Sequence, residues 1–171
     1  MTKRAYKERF YPTPEQAVLL AQSFGCTRFV WNNTLAYRTE AYQQRGEPVS
    51  HAAAEKRLVA LKADYPWLKD VSSVILQQTL RDQKAAFDNF FNPKLKARYP
   101  RFKRKDGRQS IRLTKAAFRY CDGEITIAKT TAPLPIRWSR PLPSEPSSIT
   151  ISRDRAGRYF ISCLCEFEPE T

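Results

Sequence analysis

The stretch KLKARYPRFKRKDGR, residues 94–108, divides the chain into two parts of different hydrophobic period. Before it, apolar residues recur every three to four positions, as on amphipathic helices; after it they alternate, as on half-buried strands. An α+β fold follows, with a helical block ahead of the stretch and an antiparallel sheet behind it. The stretch holds eight Lys or Arg and one acid, Asp106, and so carries +7 of the chain's net +13. Such a run repels itself unless a polyanion neutralises it, and a phosphate backbone does so with counterion release. Lys94, Lys96, Arg98, Arg101, Lys103, Arg104, Lys105 and Arg108 are therefore candidate nucleic-acid contacts. Pro100 fixes φ and removes a donor, which favours an extended path for Tyr99, Arg101 and Phe102. The Tyr99 and Phe102 rings can then cover a base or sugar. The competing reading is a solvated linker whose aromatics anchor it to the core.

Upstream, Ala5–Tyr11 has a period near two and reads as a strand ended by Pro12. Thr13-Pro14-Glu15-Gln16 reads as a capping box with proline in the first turn, opening a helix whose stripe is Ala17, Leu20, Ala21 and Phe24. Gly25 reads as its end, with a second helix from about Thr27 to Gln44 stopping at Gly46. The tight joint at Gly25 gives the pair the look of a helix-turn-helix, a spacing that any two packed helices can share. Arg28, Asn32 and Arg38 on the second helix either face phosphate or are ordinary solvated or capping residues. Ser50 caps a third helix with Ala54, Leu58 and Leu61, broken at Tyr65-Pro66-Trp67-Leu68. Ser72 or Ser73 opens a fourth, with Leu76, Leu80, Phe87 and Phe91 at helical spacing up to Asn92-Pro93. Its polar face offers Gln77, Gln78 and Arg81, which suit base edges and suit solvent equally.

Downstream, Ile111 and Leu113 alternate, and Asp122-Gly123 between Phe118–Tyr120 and Glu124–Ile127 signals a hairpin. A second hairpin joins Ile149 and Ile151 to Tyr159, Ile161, Cys163, Cys165 and Phe167 through Arg155-Ala156-Gly157. A loop rich in proline around Ile136–Trp138 lies between them. Four or more short antiparallel strands commonly close, so the expectation is a small β-barrel. The N-terminal strand joins it to satisfy its backbone, and the helices are an insertion.

No apolar run approaches the ~20 residues of a membrane span, and the basic start lacks a secretory core, so a cytoplasmic protein with no membrane partner is expected. The four cysteines form no CxxC pair, and His51 is the sole histidine, which favours reduced structural thiols over a metal site.

The segments RFYPTPEQ, FGCTRFVWNNTLAYRTEAY, LKDVSSVILQQTLRDQKAAFDNFF, YPRFKRK and YFISCLCEFE together resemble TnpB, or OrfB, a family of bacterial insertion-sequence proteins usually labelled transposases. The match runs from Phe10 to the C-terminus. By resemblance, members are RNA-guided DNA endonucleases in which a wedge barrel is interrupted by a helical recognition lobe and followed by a RuvC-like nuclease domain. The resemblance implies that residues 1–12 and 100–171 form the wedge and residues 13–99 the recognition lobe. It also implies that Gln77 and Thr114 lie near the short DNA motif that the family reads. In the family the strand matching Tyr159–Glu168 leads into an Asp-x-Gly motif that begins the nuclease. The catalytic carboxylates and a CxxC zinc element are thus expected beyond Thr171, with no catalytic or metal-binding residue and no cofactor in this chain. Glu166 and Glu168 share a strand face, but a solvated edge explains them better than two-metal chemistry, which needs convergent acids.

The expected partners are a guide RNA, double-stranded DNA near the target and a downstream nuclease polypeptide. Binding without cleavage is the first reading. The N-terminal piece of a split or truncated endonuclease and a standalone helix-turn-helix regulator are the alternatives.

Overall fold

The computed structural model describes residues 1–168. Strand β1 (Thr2–Phe10) is followed by helices α1 (Pro14–Arg45) and α2 (His51–Asp64), a 3-10 turn (Pro66–Asp70) and α3 (Ser73–Phe91). Strands β2 (Gln109–Thr114), β3 (Phe118–Cys121), β4 (Glu124–Ile127), β5 (Ile136–Arg137), β6 (Ser148–Arg153) and β7 (Tyr159–Phe167) come after the basic stretch. Five strands form one sheet in the order β2-β6-β7-β1-β5, and β3 and β4 form a separate hairpin.

The first strand pairs with the last. β1 runs antiparallel to β7 from Thr2↔Phe167 to Phe10↔Tyr159, so the helices are inserted between two neighbouring strands of one sheet. Strand alternation then sorts the side chains. Tyr6, Glu8 and Phe10 turn inward with Ile161, Cys163 and Cys165, while Lys3, Lys7 and Arg9 lie on the other face. The inward Glu8 carboxylate accepts from the Ser139 hydroxyl at 2.6 Å and from its backbone N–H, so its charge is not left bare. Burial is also the main cause that pushes the Cys163 thiol up to about 12, with Cys165 and Glu8 adding to it. This keeps Cys163 protonated at neutral pH, as expected of a packing residue.

The expected barrel is not what forms: the sheet is open, with β2 and β5 at its edges. The physical reason lies in the proline loop. Leu134 donates its backbone N–H to Ile125 of β4 at 2.8 Å, but Pro133 and Pro135 on either side have no N–H to extend that contact into a ladder. β5 is correspondingly short and pairs only Arg9↔Arg137 and Phe10↔Ile136. The β3–β4 hairpin instead covers the sheet through side chains, placing Phe118, Ile125 and Ile127 in one core with Ile111, Ile149, Ile151 and Ile161. Asp122 (φ 52°) and Gly123 (φ 78°) make its turn, the left-handed pair that the Asp-Gly dipeptide suits.

The helical block also differs from expectation in one respect. Gly25 does not end a helix, and α1 is one rod from Pro14 to Arg45, so the block has three α-helices and no tight turn at that position. A helical glycine costs about 1 kcal/mol relative to alanine, whereas each fully buried Leu or Val side chain contributes about 1.5–3 kcal/mol. The buried residues continue across Gly25 without interruption. Leu20 and Phe24 belong to the sheet core, Cys26 and Val30 to a second core with Leu58, Leu61, Leu76 and Leu80, and Trp31 and Leu35 to a third with Phe87. Burial therefore outweighs the local penalty, and α1 is the spine that joins all three clusters. The capping box is present as expected, and Gln16 has a further part in it. Its amide donates to the carbonyls of Ala132 and Pro133, both at 3.1 Å, tying the helix start to the proline loop.

Candidate nucleic-acid interface

The basic stretch is a strap laid over the helical block, held mainly through its backbone. The Trp31 indole N–H donates to the carbonyl of Arg101 at 2.7 Å. The Asn32 amide then makes a two-way clasp with Lys103, donating to its carbonyl at 3.0 Å and accepting from its N–H at 2.7 Å. Farther up the strap, the Tyr99 hydroxyl meets that of Thr39 at 2.7 Å, and the Tyr99 ring packs edge-on against Phe87 and Phe90. At the other end, Gln109 donates to the carbonyls of Arg104, Lys105 and Gly107 while its own carbonyl accepts from Arg28 at 3.3 Å. Residues 100–108 are thus attached to α1 before the chain enters the sheet.

This arrangement separates the expected contacts into two groups. Asn32, Arg28 and Tyr99 are engaged in holding the strap. Lys103 lies with its ammonium 4.5 Å from the Trp31 ring centroid, and its pKa falls below the ordinary lysine value. Desolvation is the first cause, opposed by Asp82 and reinforced by Arg108. Arg104 forms a two-point pair with Asp106, both contacts at 3.1 Å. Lys94, Lys96, Arg98, Arg101, Lys105 and Arg108 are exposed, and among the described residues their side chains make no ion pair or hydrogen bond. Phe102 is 58% exposed and stands among them. Cations fixed by their backbone and free at their tips can meet phosphates without first losing an internal partner.

Gln77 and Arg81 are exposed on α3, and Thr114 is half-buried at the end of β2. The two elements are linked where Arg112 pairs with Asp82 at 3.0 Å. Gln78 is buried and donates to Asp82 at 2.9 Å, so it leaves the polar face that the helical spacing had assigned it. Arg38 leaves the phosphate-facing set as well: it is 6% exposed and donates to Gln83 and to the Val49 carbonyl.

Two features escaped the sequence reading. Phe29, Tyr65 and Trp67 form an edge-on aromatic cluster beside a shallow hollow of about 570 Å³ that Arg28 and Asn32 also line. On the outer sheet face, Lys7 sits 4.5 Å from the Phe160 ring centroid, and Arg9 and Arg137 lie 5.0 and 5.4 Å from that of Tyr11. The alternation of β1 signals the charged face; only the strand pairing supplies the rings.

Asn32→Ala should destabilise the fold by roughly 0.5–1.5 kcal/mol for each of the two bonds it removes, because both lie at the surface, where water takes the place of the amide. Urea denaturation gives the stability change, and limited trypsin digestion should show faster cleavage after Lys103, Arg104 and Lys105. Digestion as slow as in the parent chain would show that the clasp does not hold the strap.

A family model described as a helix-turn-helix domain, HTH_OrfB_IS605, matches residues 1–47. Here those residues form a strand and one uninterrupted helix. A protein of Streptomyces pristinaespiralis whose provisional name is RNA-guided DNA endonuclease is 50% identical over 169 residues, spanning 96% of this chain and 42% of that protein. The Escherichia coli protein InsQ, named in the same provisional way, is 27% identical over 170 residues, again 42% of its length. Virulence protein VsdF of Salmonella dublin is 43% identical over 114 residues, 61% of this chain and 96% of the relative. The chain therefore spans about 42% of the two relatives named as endonucleases, and it belongs to the TnpB (OrfB) family of insertion-sequence proteins, matching their N-terminal part.

Proposed function

We propose that this chain is the nucleic-acid-binding part of a TnpB-type complex, holding a guide RNA and the double-stranded DNA next to its target without cutting by itself. The observation that carries this reading is the strap. Its backbone is fastened to α1, while six of its cations remain exposed and unpaired among the described residues. A downstream nuclease polypeptide would supply cleavage.

The family's divalent metal ions and zinc do not fit the side chains described here. No group of three or more His, Cys, Asp or Glu is placed to hold a metal among the described residues. Several of the acids are already engaged with cations: Asp82 with Arg112, Asp88 with Lys84, Asp154 with Arg158 and Glu166 with Lys3. Two-metal cleavage needs acids gathered around ions ~4 Å apart, so no catalytic step is assigned to this chain.

The test is binding of purified residues 1–171 to transposon-end RNA and to duplexes that vary in the short sequence beside the target, measured over a series of salt concentrations. Tight, strongly salt-dependent binding is expected, and an absence of binding to both RNA and duplex would overturn the reading. Gln77→Ala should relax preference at one base position by roughly 1–3 kcal/mol, as for an amide bidentate to adenine. A loss equal on all sequences would assign Gln77 to backbone contact instead.

A further inference from the structure

The helical block contains a cavity of about 370 Å³, roofed by the strap's Tyr99 and walled by Tyr42, Phe87 and Phe91. That volume falls within the ~300–1,000 Å³ range of small-ligand pockets. Arg38 enters it from α1. The side chain is buried, its Nε donates to Gln83 at 3.2 Å and its Nη1 to Val49 at 2.9 Å, while its Nη2 has no partner. Among the described residues no acid pairs with this guanidinium. Burial lowers its pKa from the ordinary arginine value, with Asp88 and Tyr99 opposing. His51, capped into α2 by Ser50, also lines the cavity. Its Nε2 meets Glu55 at 3.0 Å, which assigns the proton to that nitrogen in the neutral ring and leaves the buried Nδ1 as an unpartnered acceptor. The charged pair at the rim, Lys84 and Asp88 at 2.7 Å, is satisfied by itself.

A buried polar atom without a partner costs about 1–3 kcal/mol, and more when the group is charged. Both atoms, Arg38 Nη2 and His51 Nδ1, are closed off even to water, so they sit in the wall behind the open space, which four aromatic rings line. A planar, uncharged group fills such a space, and the rings offer it stacking and edge contacts. The exposed Lys94, Lys96 and Arg98 immediately precede Tyr99, so a phosphate backbone following the strap passes the side of the cavity. We infer that this cavity receives one unstacked nucleobase of a single-stranded segment of the bound nucleic acid, held against the rings of Tyr42, Phe91 and Tyr99, with the Arg38 and His51 side chains turning from the wall to meet its polar edge. The inference rests on the nucleic-acid-binding reading above.

The probe is a twelve-nucleotide single-stranded RNA, compared with an abasic oligomer of the same length and charge, each titrated onto residues 1–171. Phe91→Ala and Tyr42→Ala remove partly exposed rings, and Arg38→Met keeps the stem of the buried side chain. Circular dichroism checks that each variant is folded, and Phe91→Trp tests whether any large ring restores binding. Affinity of the variants for the base-bearing RNA should fall roughly 5–150-fold, the equivalent of losing ~1–3 kcal/mol of stacking on one base. Abasic binding should stay unchanged, and Phe91→Trp should recover most of the loss. A 2-aminopurine substituted along the RNA should change its emission at one position only in chains with the pocket intact. If the folded variants bind the base-bearing RNA as tightly as the parent chain does, the pocket is not a base site, although the strap reading survives. Equal losses on the abasic oligomer would likewise overturn it. Failure of the parent chain to bind either oligomer or duplex would instead sink the nucleic-acid reading itself.

Discussion

Replacing Lys96, Arg98, Arg101 and Lys105 together by alanine should lower affinity for duplex DNA roughly 10²–10³-fold near 0.1 M salt and flatten the slope of log K against log salt by roughly 3–4 units. All four side chains are exposed and unpaired among the described residues, so their loss removes charge without breaking an internal contact. Arg101 contributes to the attachment through its carbonyl, which alanine retains. The companion variant, Lys103→Ala with Arg104→Ala, removes two charges from the same densest cluster and should do less to the slope than its charge count suggests. Lys103 already lies over Trp31, and Arg104 is already paired with Asp106. The double variant removes the Lys103 contact with Trp31 but keeps the backbone groups that Asn32 holds. Equal loss of slope per charge in the two variants would show that net charge alone governs binding, and the strap's fixed geometry would then have no part in it.

The distinction between these two variants is invisible in the sequence, where all eight cations of the stretch look alike. It depends on Trp31 and Asn32, about seventy positions away along the chain, and such contacts leave no local trace. Local chemistry was legible wherever a backbone requirement and a residue type coincide. The Thr13–Gln16 capping box, the Ser50 and Ser72 caps, and the turns at Asp122-Gly123 and Gly157 all form where the sequence places them. Gly25 misled because its local penalty is real but smaller than the burial on either side of it. The barrel misled for a related reason: strand count suggests closure, whereas Pro133 and Pro135 remove the donors that closure needs at that edge. Arg38 looks like a surface cation by type, and only the packing of α1 against Gln83 and Phe87 shows it to be buried. Thus the α+β class, the helical insertion and the basic stretch could be read in advance, while the division of labour within the stretch and the pocket beneath Tyr99 required the tertiary structure.

Incubated with Mg²⁺ or Mn²⁺, transposon-end RNA and a matched DNA target, purified residues 1–171 should bind and leave the DNA intact. The same mixture supplemented with a nuclease polypeptide matching the remaining part of the relatives should cut it. Phosphodiester cleavage by metal ions is limited by how many carboxylates converge on the ions, and a missing set changes the outcome from turnover to none. Glu166 and Glu168 at the end of β7 lie two positions apart on one strand, and each already has a cationic neighbour: Lys3 of β1 at 3.5 Å from Glu166 and the N-terminal ammonium at 4.0 Å from Glu168. Both pairs are largely exposed, so they contribute little to the stability of the fold. Cleavage by the chain alone, abolished by Glu166→Gln or Glu168→Gln and constant in specific activity through further purification, would overturn the assignment of those residues to the sheet edge. Cleavage that appears only with the second polypeptide, and is lost again in the four-charge strap variant, would show that the strap positions nucleic acid for a nuclease it does not itself contain.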